Sequence, residues 1–177
     1  MVVTLRNMQP SKHERSDSVR RFCGLMTAMN ERLTAFGNQL IVSHIRLREL
    51  LAGLRDGTYT GVDLATHCLT FCSILTAHHS AEDDEGFPVL AKHFPELRPV
   101  LTELSHDHRL VADVLDRLKV VSTMDVATAE RELDTLAALL ETHLVYEEKK
   151  LVAALNQLSA TSEEAKAVAR AVTLPQP

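Results

Sequence analysis

Tryptophan is absent from this chain, and aromatic residues of all kinds make up only 4% of it. A β-sandwich core draws on Val, Tyr and Phe, so a chain this poor in rings and rich in Leu and Ala favours helices. Proline is missing between Pro10 and Pro88 and again between Pro99 and Pro175. Such gaps leave long stretches free to be helical. Cysteine occurs only three times, an odd count that argues against a disulfide framework and suits a reducing cytoplasm. No basic stripe is present and the net charge is −5, which makes nucleic acid a poor partner. No apolar run approaches the roughly 20 residues that cross a bilayer. Met1 to Lys12 has no apolar h-region, so neither a membrane span nor a secretory signal is expected. With 177 residues and 45% apolar content, the chain is expected to form one domain with a real core.

What is present is helical periodicity between a few breakers. Pro88, Pro95 and Pro99 cluster in one expected connector, and Gly53, Gly57 and Gly61 in another. The first helix ends near Arg55 and reads back through Leu54, Leu51, Leu47, Leu40 and Phe36. The second, capped by Thr60 or Asp63, runs to about Glu85 with Gly86 as its stop. The third spans about Glu96 to Val120. The fourth starts behind Ser122, Thr123 and Asp125 and runs to about Leu158. Short connections predict an all-α, up-down-up-down antiparallel four-helix bundle over residues 31–158. Before it, Val19, Phe22, Met26, Met29, Leu33, Phe36 and Leu40 alternate three and four apart, as in a coiled-coil seam. Residues 1–30 are therefore expected to form an arm or helical overhang that could join two copies. Residues 159–177 are expected to fray.

The inward stripes carry the chemistry. His44 lies between Leu40 and Leu47 on the first helix. Leu64, Phe71 and Leu75 lead to His78 and Glu82 on the second. Leu97, Leu101 and Leu104 lead to His108 on the third, and Leu136, Leu139 and Leu140 lead to His143 and Glu147 on the fourth. A spacing of four puts each His and Glu on one helix face. A buried carboxylate without a partner costs far too much to be incidental. One core histidine is usually a hydrogen-bonded structural residue; four histidines and two glutamates at one level suit a pair of iron or manganese ions. Glu82 and Glu147 would bridge, with His44 and His78 completing one site and His108 and His143 the other.

These residues resemble the hemerythrin-like (HHE cation-binding) family over Phe36 to Leu155. The resemblance lies in FGNQLIVSHIRLREL, LTAHHSAEDDEGFPVL, LSHDHRLV and LLETHLVYEEKKLVAAL, in the order His, His-x-x-x-Glu, His, His-x-x-x-Glu. Ferritin-like bundles instead need two Glu-x-x-His repeats, and only Glu103 to His106 has that spacing here. The resemblance implies two iron ions, oxo- or hydroxo-bridged, although imidazole and carboxylate also accept manganese and zinc. Oxygen-carrying hemerythrins have a second His one turn before the third-helix ligand, where this chain has Leu104. Their fourth-helix carboxylate is an Asp five residues after the His, where this chain has Glu147 at four. One fewer nitrogen ligand implies open metal positions and a reaction with hydrogen peroxide, dioxygen or nitric oxide rather than reversible carriage. Binding or sensing of oxygen, nitric oxide or iron itself without turnover, and a purely structural metal staple, are the other readings.

The remaining candidates have plainer expected roles. His79 is expected at the surface or as a donor behind the ligands, since only one of the pairs His78–Glu82 and His79–Asp83 is expected to face inward. Tyr146, three residues after His143, is expected either beside the metals or in simple packing. His67 is expected to be a hydrogen-bonded core residue, and Cys68 and Cys72 small buried apolar ones. His13, His93 and His106 are expected at the surface or in loops, and Glu148, Lys149 and Lys150 on a solvated face.

Overall fold

The computed structural model describes residues 35–56 and 61–175, and every regular element in them is helical. The N-terminal seam as far as Leu33, His13, and Gly57 and Thr60 lie outside the described residues. Helix α1 is Phe36–Arg55. Helix α2, Gly61–Ala81, passes without a break through a π-turn at Glu82–Gly86 into α3, Phe87–His93. Helix α4 is Arg98–Leu118, α5 is Val126–Gln157 and α6 is Ser162–Val172. Asp125, one of the expected caps, accepts a hydrogen bond from the Thr128 amide at 3.0 Å and starts α5.

Two expectations fail. Gly86 does not stop the second helix, and Pro88 is no connector. The proline ring would collide with the carbonyl four residues back in an unbroken α-helix. The π-turn, closed by the Phe87 amide on the Glu82 carbonyl, widens the backbone just before Pro88 and lets the helix continue. The segment after Leu158 also does not fray. Thr161 and Glu164 form a capping box that starts α6, and Val168, Ala171 and Val172 are buried. The i, i+3, i+4 spacing of these three residues gives α6 one apolar face. That face lies over the π-turn, where Gly86 approaches so closely that a Cβ would sit 2.7 Å from the Ala171 Cβ. Arg170 pairs with Glu85, Lys92 with Glu164 at 2.6 Å, and the Ser43 hydroxyl donates to the Val172 carbonyl at 2.7 Å.

The core has two apolar layers. One holds Leu47, Leu51, Phe71, Leu75, Val111, Leu115, Leu136 and Leu140. The other holds Leu40, Phe87, Leu90, Leu101, Leu104, Leu151, Leu155, Val168 and Val172. Between them lies a layer of buried polar residues: His44, His78, His79, Glu82, His108, His143 and Glu147. Cys68 and Cys72 belong to the first layer, as expected. His67 does not: it is exposed, and Cys68 takes the inward position beside it. Leu40 and Leu104 are fully buried in the second layer.

Candidate metal centre

α1 places His44 one turn after Leu40, and α5 places His143 and Glu147 on one face. His78 and Glu82 end α2 and begin the π-turn, and His108 comes from the middle of α4. All six residues are at most 4% exposed, and the fold brings them together. Glu82 Oε1 lies 3.3 Å from His78 Nε2, and its Oε2 lies 3.5 Å from His108 Nε2. Glu147 Oε2 lies 3.5 Å from His44 Nε2 and 3.4 Å from His143 Nε2.

A seventh residue joins them. His79, expected at the surface or as a donor behind the ligands, is buried and stacks on the His108 ring at a centroid distance of 4.0 Å and an interplanar angle of 8°. Its ring is 5.2 Å from that of His143. Adjacent helical residues point about 100° apart, so His78 and His79 straddle the inward direction. His78 reaches toward His44, with ring centroids 5.6 Å apart, and His79 reaches toward α4 and α5. Ligating atoms of His44, His78 and Glu82 lie within 4.8 Å of one another, and so do those of His79, His108 and His143. Each glutamate therefore faces an imidazole of both groups. The layer holds five imidazoles, which corrects the count of four behind the expectation of a nitrogen-poor site.

Carboxylates hold the far nitrogens of two rings, His44 and His108, and a third carboxylate lies farther from His143. His44 Nδ1 donates to Glu148 Oε1 at 2.9 Å, and Arg48 donates to the same oxygen at 2.9 Å. His108 Nδ1 lies 3.0 Å from Asp83 Oδ2, while Ser105 donates to Asp83 Oδ1 at 2.5 Å. His143 Nδ1 lies 3.8 Å from Asp107 Oδ2. An imidazole fixed this way presents Nε2 inward as a lone pair. Glu148, expected on the solvated face, and Asp83, expected beside His79, thus serve the cluster instead. Each of the three carboxylates is the immediate neighbour of an inward residue, in Glu82–Asp83, Asp107–His108 and Glu147–Glu148. That adjacency was a usable sequence signal, since a 100° step from an inward position reaches the seam with the next helix. Tyr146 has another partner. Its hydroxyl donates to Glu103 Oε2 at 2.6 Å, and Lys150 Nζ sits 5.3 Å from its ring centroid.

Burial lowers the pKa of His78 to about 3 and that of His79 well below the usual imidazole value. It also outweighs Glu147 and Glu148 in lowering that of His44. Neutral imidazole is the form that binds metal. Burial, and then the neighbouring Glu147 carboxylate, push Glu82 far up. Burial would raise Glu147 too, but the His143 contact and the nearby His44 and His78 bring it down to about 2. Two carboxylates in one dry layer repel when both are ionised. The Nε2 atoms of all five histidines, both oxygens of Glu82 and Oε2 of Glu147 are buried without a hydrogen-bond partner. Orphaned atoms of this kind each cost about 1–3 kcal/mol. Cations would satisfy them and remove the carboxylate repulsion, so this donor set fits a metal pair.

Helices that bury a layer of imidazoles and carboxylates define a metal-binding helical-bundle protein. Residues 37–155 match the hemerythrin HHE cation binding domain. This span is most of the chain, and the chain belongs to that family. No curated protein and no solved structure matches it.

Proposed function

We propose that this chain is a non-haem di-iron protein that binds and reacts with small oxidants, hydrogen peroxide above all, in a catalase-like role under oxidative stress. The observation that carries the reading is the pairing across the layer, where each glutamate faces one imidazole from both metal-binding groups. That is the arrangement two bridged ions need. The apolar layers alternate in order along α1, α2–α3, α4 and α5, which supports an up-down-up-down frame for the four helices. A bound iron pair would supply reversible redox chemistry. The chain holds His44, His78 and His79 neutral, fixes His44 and His108 from behind and keeps bulk water out through the two apolar layers. No helix among the described residues is long and apolar enough to cross a membrane. Free thiols at Cys68 and Cys72 support a reducing cytoplasm as the location.

Anaerobic loading with ferrous iron should give two iron ions per chain, and added hydrogen peroxide should then evolve oxygen over many turnovers. Oxidation that stops at one equivalent would remove the catalase reading. Uptake of a single ion would remove the di-iron reading.

A further inference from the structure

We propose that small ligands reach the metal layer through one opening, a groove between α2 and α4 whose floor is the stacked pair His79 and His108; this rests on the di-iron reading above. The groove has a volume of about 160 Å³ and is lined by Thr76, Ser80, Asp83 and Arg109 around those two rings. Thr76, Ser80 and Arg109 are exposed while His79 and His108 are buried. The groove thus leads from solvent down to two imidazoles of one metal-binding group. Among the described residues, Leu and Phe side chains bound the layer above and below. The open surface around Glu103, His106, Asp107 and Tyr146 touches none of the buried histidines.

Size and lining set the class of ligand. At about 30 Å³ for each water molecule, the groove holds about five. A ligand of two to four heavy atoms fits within it. Two hydroxyls, a carboxylate and a guanidinium on the walls favour a ligand that hydrogen-bonds, such as hydrogen peroxide or a small anion, over a larger apolar one. Asp83 has two tasks here: it is part of the wall and it holds His108.

Ala112 offers the test. It is exposed, lines the groove and follows His108 by one turn. A helical side chain covers the surface over the turn N-terminal to its own Cα, so a large ring at 112 leans across the floor without entering the metal layer. The probe is azide binding to iron-loaded protein, followed by the charge-transfer band in stopped flow, with the iron content of each variant measured first. An obstructed route slows arrival and departure alike and leaves the affinity unchanged. Ala112→Trp should lower both rate constants by about tenfold, a change of barrier and not of binding, with the Kd constant. Ser80→Phe, on the opposite wall, should do the same. Thr102→Trp, on the open surface near Tyr146, should change neither rate. Unaltered rates in both groove variants with full iron would overturn the route, as would slowing by Thr102→Trp alone. An altered Kd with unaltered association would show that the groove shapes the site instead of leading to it, and would also overturn it. A wild-type chain that takes up no iron pair overturns both proposals, and that failure appears in the metal analysis before azide is added.

Discussion

Glu148 is the residue whose removal most cleanly tests how the metal layer is organised. It accepts a hydrogen bond from His44 Nδ1, and among the described residues its other partner is Arg48. Arg48 keeps a second carboxylate, Glu141, at 2.7 Å. His44 is completely buried and has no comparable replacement. Glu148→Ala should therefore release the far side of the His44 ring while leaving Arg48 paired. Loss of such an outer hydrogen bond typically lowers metal affinity about 10–100-fold, or about 1.4–2.7 kcal/mol. Glu148→Gln keeps an acceptor oxygen but loses the charge, so it should recover most of the affinity. Glu141→Ala is the control, since it touches the same arginine but not the histidine, and should stay within about twofold of the wild type. Competition between the protein and a chromophoric chelator for ferrous ion, under anaerobic conditions, reads all four proteins. Equal losses in Glu148→Ala and Glu141→Ala would refute the reasoning, because the effect would then come from the surface ion pairs and not from the imidazole.

Other perturbations reach different parts of the structure. His79→Ala should remove metal from the group it shares with His108 and His143, giving close to half the iron of the wild type by elemental analysis; His67→Ala, at an exposed position, should leave the content unchanged. Ending the chain after Leu158 removes buried Val168 and Val172, each worth about 1.5–3 kcal/mol, and should lower the Tm of the metal-free protein by about 6–24 degrees in calorimetry. Glu164 is held down to about 2 by Lys92, the Thr161 backbone and hydroxyl, and His93. Its unfolded-state pKa is the higher one, so its contribution is present above about 4.5 and is lost as pH falls toward 2. Hydrogen exchange in α6 should therefore rise across that window in the wild type and show a weaker dependence in Glu164→Gln.

The inward residues were legible because a helix repeats every 3.6 residues and the apolar stripes on four helices each led to a histidine. His44, His78, His108 and His143 needed only that periodicity, and Glu82 and Glu147 followed from a spacing of four. His79 was not legible, since a stripe assigns one face to each turn and the helix at this point presents two directions inward. His67 was misplaced by the same rule: it sits one residue before Cys68, which faces the core. Glu148 read as solvated charge and Asp83 as the partner of His79, because one inward line was assigned to each helix and the residue next to it was not followed into the seam with the adjacent helix. α6 carried its capping box and its apolar triplet in plain view, but the prolines at the end of the chain suggested a tail.

The π-turn also determines how the chain tolerates insertion and deletion. It separates the end of α2, which must aim His78, His79 and Glu82 at the metals, from Phe87 and Leu90, which must face the other apolar layer. In a regular helix each added or removed residue rotates everything beyond it by about 100°. Loss of one residue between Asp83 and Gly86 would convert the widened turn to a regular one and leave the ligands and Phe87 facing as they do, whereas loss of one residue within regular α2 would turn one set out of the core. Homologues that lack this widened turn are therefore expected to be one residue shorter between their second-helix ligands and the apolar residues that follow. Residue-by-residue alignment across this point would then pair side chains that do not occupy equivalent places.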